Sequence, residues 1–385
     1  MSPTPPTVHR TLYKRDSDGR IRTFFMESCG NAYWSTTGLI DGAQTATAAT
    51  YAEEKNVGKK NYRSANDQAI YEVENEYKKK LKLGYFEDVA DVDKGEKLFP
   101  MLANRFQDLK KGLDWRQEWV SQPKIDGLRC LGRKQGLFTR KGEEYHVFKD
   151  ILSYTTEINR ALPSISLDGE LYEHSLRHDL PEINSIARKR SGITEADVKA
   201  ARLLNYNLYD LHDADNPDMP FDERNEYLTD IFNKYLLGND FFELVPTDYV
   251  ENDEEVDAKF EQYLLDEWEG QILRNAKGTY DINKRSKHLI KRKEYQDKEF
   301  KVRDIKPGQG NWAGAAKIAV LENPHVPGDT FEAGIDGPMP RNQKILEEKD
   351  LYIDGDATVR FFKLSPKNVP LQGVVKAFYP GGRDV

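Results

Sequence analysis

Between residues 119 and 293 the chain alternates short β-prone runs with amphipathic helical stretches, and that alternation restricts its fold more than any other feature. Strand candidates fall at 119–124, 128–132, 137–140, 166–172, 205–211 and 270–275, each bounded by glycine or charged turn residues. Helical spacing appears at 183–189, 222–234 and 256–267. Such a segment suits neither a helical bundle nor a pure β-sandwich. It predicts a mixed α+β domain built round an antiparallel-rich sheet.

The flanks differ from this middle. Residues 22–26 and 32–34 are β-prone and aromatic, with turns at Gly38 and at Asp41-Gly42. Ile70, Val73, Tyr77 and Leu81 then mark one face of a helix over 67–83, which Gly84 stops. The charged stretch 88–97 reads as a linker. After residue 299, β-like runs at 300–305, 315–321, 356–362 and 374–378 are separated by glycine and proline, the pattern of a small barrel. With 385 residues to divide, three domains are expected, at 1–92, 98–298 and 299–385.

Composition removes several classes. Only two cysteines occur, Cys29 and Cys130, so neither a disulfide framework nor a four-cysteine zinc site is available. No apolar run reaches the ~18 residues that span a bilayer, and the start of the chain lacks a secretory pattern. A soluble, cytoplasmic monomer is therefore expected. The net charge of −8 argues only weakly against a nucleic-acid partner, because the charge is segregated. Residues 284–306 are dense in Lys and Arg, whereas acid collects at 251–257.

Some strand ends carry unusual chemistry. Lys124 ends an apolar-flanked run and is followed by Ile125-Asp126-Gly127, with Arg129 just beyond. A lysine is nucleophilic only when neutral, and desolvation or nearby cations are what release its lone pair. Gly127 would let backbone come close to a phosphate. Taken alone this short run is better read as a surface turn. Further along stand Arg140 in Thr139-Arg140-Lys141-Gly142, Glu170 in Leu167-Asp168-Gly169-Glu170, and Tyr209 in Tyr206-Asn207-Leu208-Tyr209-Asp210. Glu269-Gly270 opens a strand, and Lys291-Arg292-Lys293 puts two lysines on one strand face. No Gly-x-x-x-x-Gly-Lys-Ser/Thr loop exists, which excludes a P-loop ATPase.

This ordered set resembles the motifs of the covalent nucleotidyltransferases, in particular the ATP-dependent DNA ligases of small phage type. Pro100-Met101-Leu102-Ala103 also resembles the opening of their catalytic domain. The resemblance covers about residues 98–385. It implies a nucleotidyltransferase (adenylation) domain at 98–298 and an OB-fold domain at 299–385. It implies ATP and Mg²⁺ (or Mn²⁺) as cofactors and nicked double-stranded DNA as partner. Lys124 would attack the α-phosphorus of ATP, and Lys291 and Lys293 would contact the α-phosphate. Arg129 and Arg140 would bind ribose, phosphate and the incoming 5′-phosphate. Glu170 and Glu269 would serve the metal, and Glu170 also the ribose. Tyr209 would stack on adenine, with Asp210 facing away by strand alternation; a core tyrosine remains the alternative. Gln122 would meet the purine edge. The usual arginine of the last ligase motif is missing, leaving Lys376 or Arg383 to orient pyrophosphate.

The first segment resembles the WGR domain of poly(ADP-ribose) polymerases, which binds DNA breaks. The name-giving triplet here reads Trp34-Ser35-Thr36, so its arginine contact is lost. Trp34 would stack on an exposed sugar or base, or fill a core. Lys59, Lys60, Arg63 and, further on, Arg285 are the candidate phosphate contacts. Two rival functions stay open: an RNA ligase or capping guanylyltransferase, and a non-catalytic break-binding protein. Capping enzymes generally carry Asp-Gly where this chain has Glu269-Gly270, and RNA ligases usually depart from Leu167-Asp168-Gly169-Glu170. Both differences favour DNA.

Overall fold

The computed structural model describes residues 6–382 except 17, 93–98, 178 and 366. Arg383 and residues 93–97 of the expected linker at 88–97 therefore lie outside the described residues. The chain divides into two compact units, Lys97–Glu294 and a second made from Met1–Glu96 with Tyr295–Val385. The first and last segments, expected as separate domains, thus share one unit.

The unit Lys97–Glu294 holds two five-stranded sheets. In the first, Trp119–Lys124 and Arg285–Lys293 flank Gly270–Asn275 antiparallel, with Asp248–Val250 and Leu102–Arg105 at the edges. In the second, Leu128–Arg133, Ile165–Tyr172 and Asn205–Asp213 are the inner strands, and Gly136–Thr139 and Phe242–Leu244 the outer ones. Helices Lys149–Ala161, Leu180–Ala187 and Phe221–Tyr235 contribute to a core that includes Ile158, Ile183, Leu208, Leu211, Leu228 and Ile231. Each such side chain contributes about 1.5–3 kcal/mol when fully buried. The acidic run at 251–257 has a local cause. Asn252 caps the helix Asp253–Leu265 by accepting from the Glu255 N–H at 2.8 Å, and Asp253, Glu254 and Glu255 occupy the positive end of its dipole.

In the other unit, the hairpin Ile21–Cys29 and Ala32–Leu39 centres a six-stranded sheet covered by the helix Ala65–Lys82. Leu12, Phe24, Met26, Val73 and Tyr77 form its core. A closed barrel follows, made of Gln296–Pro307, Ala316–Glu322, Thr330–Ile335, Val374–Tyr379 and Asp356–Phe361 in spatial order, with the helix Met339–Glu347 between the third and fourth strands in sequence. Val302, Leu321, Val359, Phe361 and Val375 fill it. The Ala48 N–H donates to Asn311 Oδ1 at 2.8 Å, joining sheet and barrel. Among the described residues no helix is long and apolar enough to cross a membrane.

Candidate active site

Strand register builds the site. Lys124 stands opposite Gly270, and Gly270 opposite Lys293, so one row across three strands holds two lysines with a glycine between them. The next row on the same face is Gln122, Ile272 and Lys291. Gly270 has φ +148°, and a Cβ there would lie 2.3 Å from the Arg292 carbonyl oxygen. Only glycine fits, and it lets its strand press against the backbone at Arg292. Glu269 precedes it at the strand start. Its N–H donates to the Lys124 carbonyl at 3.0 Å, and its carboxylate touches Nζ of both Lys124 and Lys293.

The second sheet supplies the facing wall. A Cβ on Gly127 would lie 2.5 Å from the Leu171 carbonyl oxygen and 2.9 Å from Glu170 Cγ. The absence of a Cβ at Gly127 admits the backbone at Leu171. It lets the turn after Lys124 press against the Glu170 strand. Gly169 answers the same need one strand over, where a Cβ would meet the Asn207 carbonyl oxygen at 2.3 Å. At this position the ladder shifts register, and Tyr209 is the residue left over. Its hydroxyl donates to Glu170 Oε2 at 3.2 Å.

Electrostatics follow from this crowding. Burial, then Lys293 and Lys291, bring the Lys124 amine down to about 7, against the pull of Glu170 and Asp126. Burial and the neighbouring lysines thus favour the neutral amine, the form a nucleophile requires. Burial raises Glu170 to about 7, opposed by Lys124, Arg129 and the Tyr209 hydroxyl. Lys291 is lowered by burial and by Lys293, Arg285, Arg140 and Arg105, and Arg140 by burial and then Arg129 and Arg285. Cations that depress one another in this way form a receptor for a polyanion. For a divalent ion, the buried and undercompensated Glu170 is a suitable hard-oxygen ligand. Glu269 also suits one, although two ammonium groups now hold it. No cluster of three or more His, Cys, Asp or Glu side chains occurs among the described residues, so phosphate oxygens would have to complete the shell.

A lysine row facing two carboxylates and a tyrosine is compatible with several phosphoryl transfers, and comparison with known proteins narrows the field. The model of the ATP-dependent DNA ligase domain matches residues 100–293, just over half of the chain. The chain belongs to the ATP-dependent DNA ligases. It is 28% identical over 345 residues to the DNA ligase of African swine fever virus, covering 85% of this chain and 78% of that protein. The DNA ligase of Enterobacteria phage T4 is 24% identical over 305 residues, covering 66% of this chain and 61% of that one. A solved Lig E DNA ligase superposes with a TM-score of 0.58 at 20% identity, over 73% of this chain and 99% of that one. At that identity the likeness is one of fold.

Within the ligase domain the other expected residues divide. Lys124, Lys291, Lys293, Glu170, Glu269 and Tyr209 line the site as just described, and Arg140 takes part in its electrostatics. Arg129 is partly committed elsewhere: Nε donates to Asp168 Oδ1 at 2.8 Å and NH1 to the Met101 carbonyl at 3.0 Å. Gln122 is buried, and its amide nitrogen is spent on the Tyr209 carbonyl at 3.2 Å and the Thr247 hydroxyl at 2.8 Å. Direct contact with a purine edge, as expected, would need those bonds broken. Arg285 opens its strand and donates to the Ala103 carbonyl at 2.6 Å. Trp34, Lys59, Lys60 and Arg63 belong to the other unit. Trp34 is half-buried, and its indole N–H donates to Glu27 at 2.8 Å. Lys59 and Lys60 are exposed, while the Arg63 guanidinium lies 3.6 Å from the Tyr71 ring centroid. Sequence reading missed Arg274, Arg224 and Thr247, which hold Asp210 and Gln122. For Arg274 the signal was an arginine directly after the apolar pair Ile272-Leu273 of a strand.

Proposed function

We propose that this ligase-family chain seals 5′-phosphate and 3′-hydroxyl ends at nicks in duplex DNA, with Lys124 as the covalent nucleophile. The observation that carries this reading is the Lys124–Glu269–Lys293 ionic cluster, where a buried amine lowered to about 7 meets an anion receptor. Lys124 Nζ attacks the α-phosphorus of ATP, the bond to the bridging oxygen breaks, and pyrophosphate leaves. A 5′-phosphate oxygen then takes the AMP, releasing Lys124. The 3′-hydroxyl attacks the activated 5′-phosphorus, and AMP departs. Each transfer is in line, so positioning and charge neutralisation dominate.

Lys291, Lys293, Arg140 and Arg129 would neutralise phosphate charge. Tyr209 would carry the adenine, with Gln122 acting behind it. Glu170 and Glu269 would hold Mg²⁺ or Mn²⁺, which supplies Lewis-acid polarisation of phosphate oxygens. The closed five-strand barrel with a helix between its third and fourth strands supports an OB-fold domain at 299–385. Residues 1–92 are read as a WGR-like break-binding segment, with Lys59, Lys60, Arg63 and Trp34 toward DNA and Arg285 assisting from the adenylation domain at 98–298. The protein is read as a monomer.

A gel assay on nicked, cohesive, blunt and RNA-containing duplexes with ATP and Mg²⁺ tests the reading. Sealing of nicked DNA that disappears in Lys124→Ala supports it. Labelling of the protein by α-labelled GTP but not ATP, or sealing confined to RNA ends, overturns it.

A further inference from the structure

Behind the Tyr209 strand lies a buried ionic network that the phosphate chemistry does not use. Asp210 is fully buried between two guanidinium groups. Arg224 donates to it through Nε at 2.8 Å and NH2 at 3.2 Å, and Arg274 through NH1 at 2.6 Å. Arg224 also donates to the Met219 and Gly278 carbonyls at 2.7 and 3.0 Å. One guanidinium, that of Arg224, would already balance the single charge of Asp210. A buried ion pair gains little over an apolar core, and a second cation gains less. Stability does not account for Arg274.

Its remaining contact does. Arg274 Nε donates to Gln122 Oε1 at 2.7 Å. A guanidinium has no acceptor, so the Gln122 amide can turn only its oxygen toward Arg274. The amide nitrogen must then point the other way, where it meets the Tyr209 carbonyl and the Thr247 hydroxyl. The Arg274 guanidinium carbon also lies 5.4 Å from the centre of the Tyr209 ring, with that of Arg129 at 5.5 Å. Tyr209 is thus held at its carbonyl by Gln122, at its hydroxyl by Glu170, and flanked at its ring by cations fixed on buried carboxylates.

We propose that Arg274 is a positioning residue for the nucleotide base: it orients the Gln122 amide and, through it, sets the Tyr209 platform. This inference rests on the reading of Tyr209 as the surface that carries the base. Arg274 touches no substrate, and its effect falls on nucleotide affinity rather than on the transfer step.

The test is single-turnover transfer of label from α-labelled ATP to the full-length protein, measured against ATP concentration. Arg274→Lys keeps the charge but cannot bridge Asp210 and Gln122 with one planar fork. Gln122→Glu keeps the partner of Arg274 but loses both donors to Tyr209 and Thr247. Each is expected to raise the half-saturating ATP concentration about tenfold, the worth of one charge-assisted hydrogen bond, with a plateau rate within about twofold of the parent. If Arg274→Lys does not fold, Gln122→Glu carries the test. Combining either change with Tyr209→Ala should raise half-saturation no further than Tyr209→Ala alone. An unchanged half-saturation in both folded single variants, while Tyr209→Ala raises it, overturns the positioning role and leaves the platform standing. So does full additivity with Tyr209→Ala. If Tyr209→Ala itself binds ATP normally, the platform reading fails and the positioning role falls with it.

Discussion

Replacing Lys293 by methionine should slow adenylylation at neutral pH mainly by returning the proton to Lys124. Both Nζ atoms touch the single Glu269 carboxylate, one at each oxygen. Two ammonium groups on one carboxylate are close neighbours, and unit charges at about 5 Å in an effective dielectric of ~20 repel by about 3 kcal/mol, or about 2 pKa units. The methionine variant also leaves Glu269 to Lys124 alone, which works in the same direction. Lys124 should rise from about 7 to about 9. Its neutral fraction at pH 7 then falls from about one half to about one hundredth, a loss of roughly fiftyfold in rate. The sign is fixed by the group. A lowered lysine gains its nucleophilic form as pH rises through about 7, and the variant would gain it only as pH rises through about 9. Rates of labelling by α-labelled ATP between about pH 6 and 10 separate the two roles of Lys293, since what persists at the alkaline end is its lost contact with phosphate. A variant profile with an unmoved midpoint and only a lower plateau would refute the reasoning.

Two other perturbations probe different parts of the account. Gly127→Ala sets a methyl 2.5 Å from the Leu171 carbonyl oxygen and should cost about 1–3 kcal/mol in urea unfolding, while reducing adenylylation by shifting the turn that carries Lys124; wild-type values of both would contradict the close approach. Changing Lys59, Lys60 and Arg63 together to alanine should flatten the dependence of log affinity on log salt for nicked DNA by about 2–3, with adenylylation unaffected, and an unchanged slope would remove that surface from the DNA contact.

What sequence reveals here depends on how local the cause is. The strands 119–124 and 270–275 stand where expected because apolar runs between turn residues determine them. The helix Ala65–Lys82 follows from the Ser64 cap and an apolar stripe, but its buried face holds Ala69, Val73 and Tyr77 while the expected Ile70 is exposed. The helices Lys149–Ala161 and Glu195–Ala201 were not expected, since their buried faces are narrow and polar residues such as Thr155 and Asn159 sit in them. Nor were the strand Thr330–Ile335 and the helix Met339–Glu347, which lie among glycines and prolines. Lys124, Glu170, Glu269 and the lysine pair were legible through the ordered set of motifs that resembles the ligases, because taken singly each reads as an ordinary turn or solvated strand residue. The reason for each glycine was not, because it lies in contacts distant in sequence, Leu171 for Gly127 and Arg292 for Gly270. The Asp210–Arg274–Gln122 network joins three separate strands, and no single stretch of chain announces it.

The central claim concerns one nitrogen atom. Incubating the protein with ATP and Mg²⁺, digesting it, and locating AMP by mass spectrometry tests it directly. The account predicts a single adenylate on the peptide containing Lys124, removed when nicked DNA is added and replaced by a sealed strand. Adenylate on Lys291 or Lys293 instead, or sealing that survives Lys124→Ala, would contradict it.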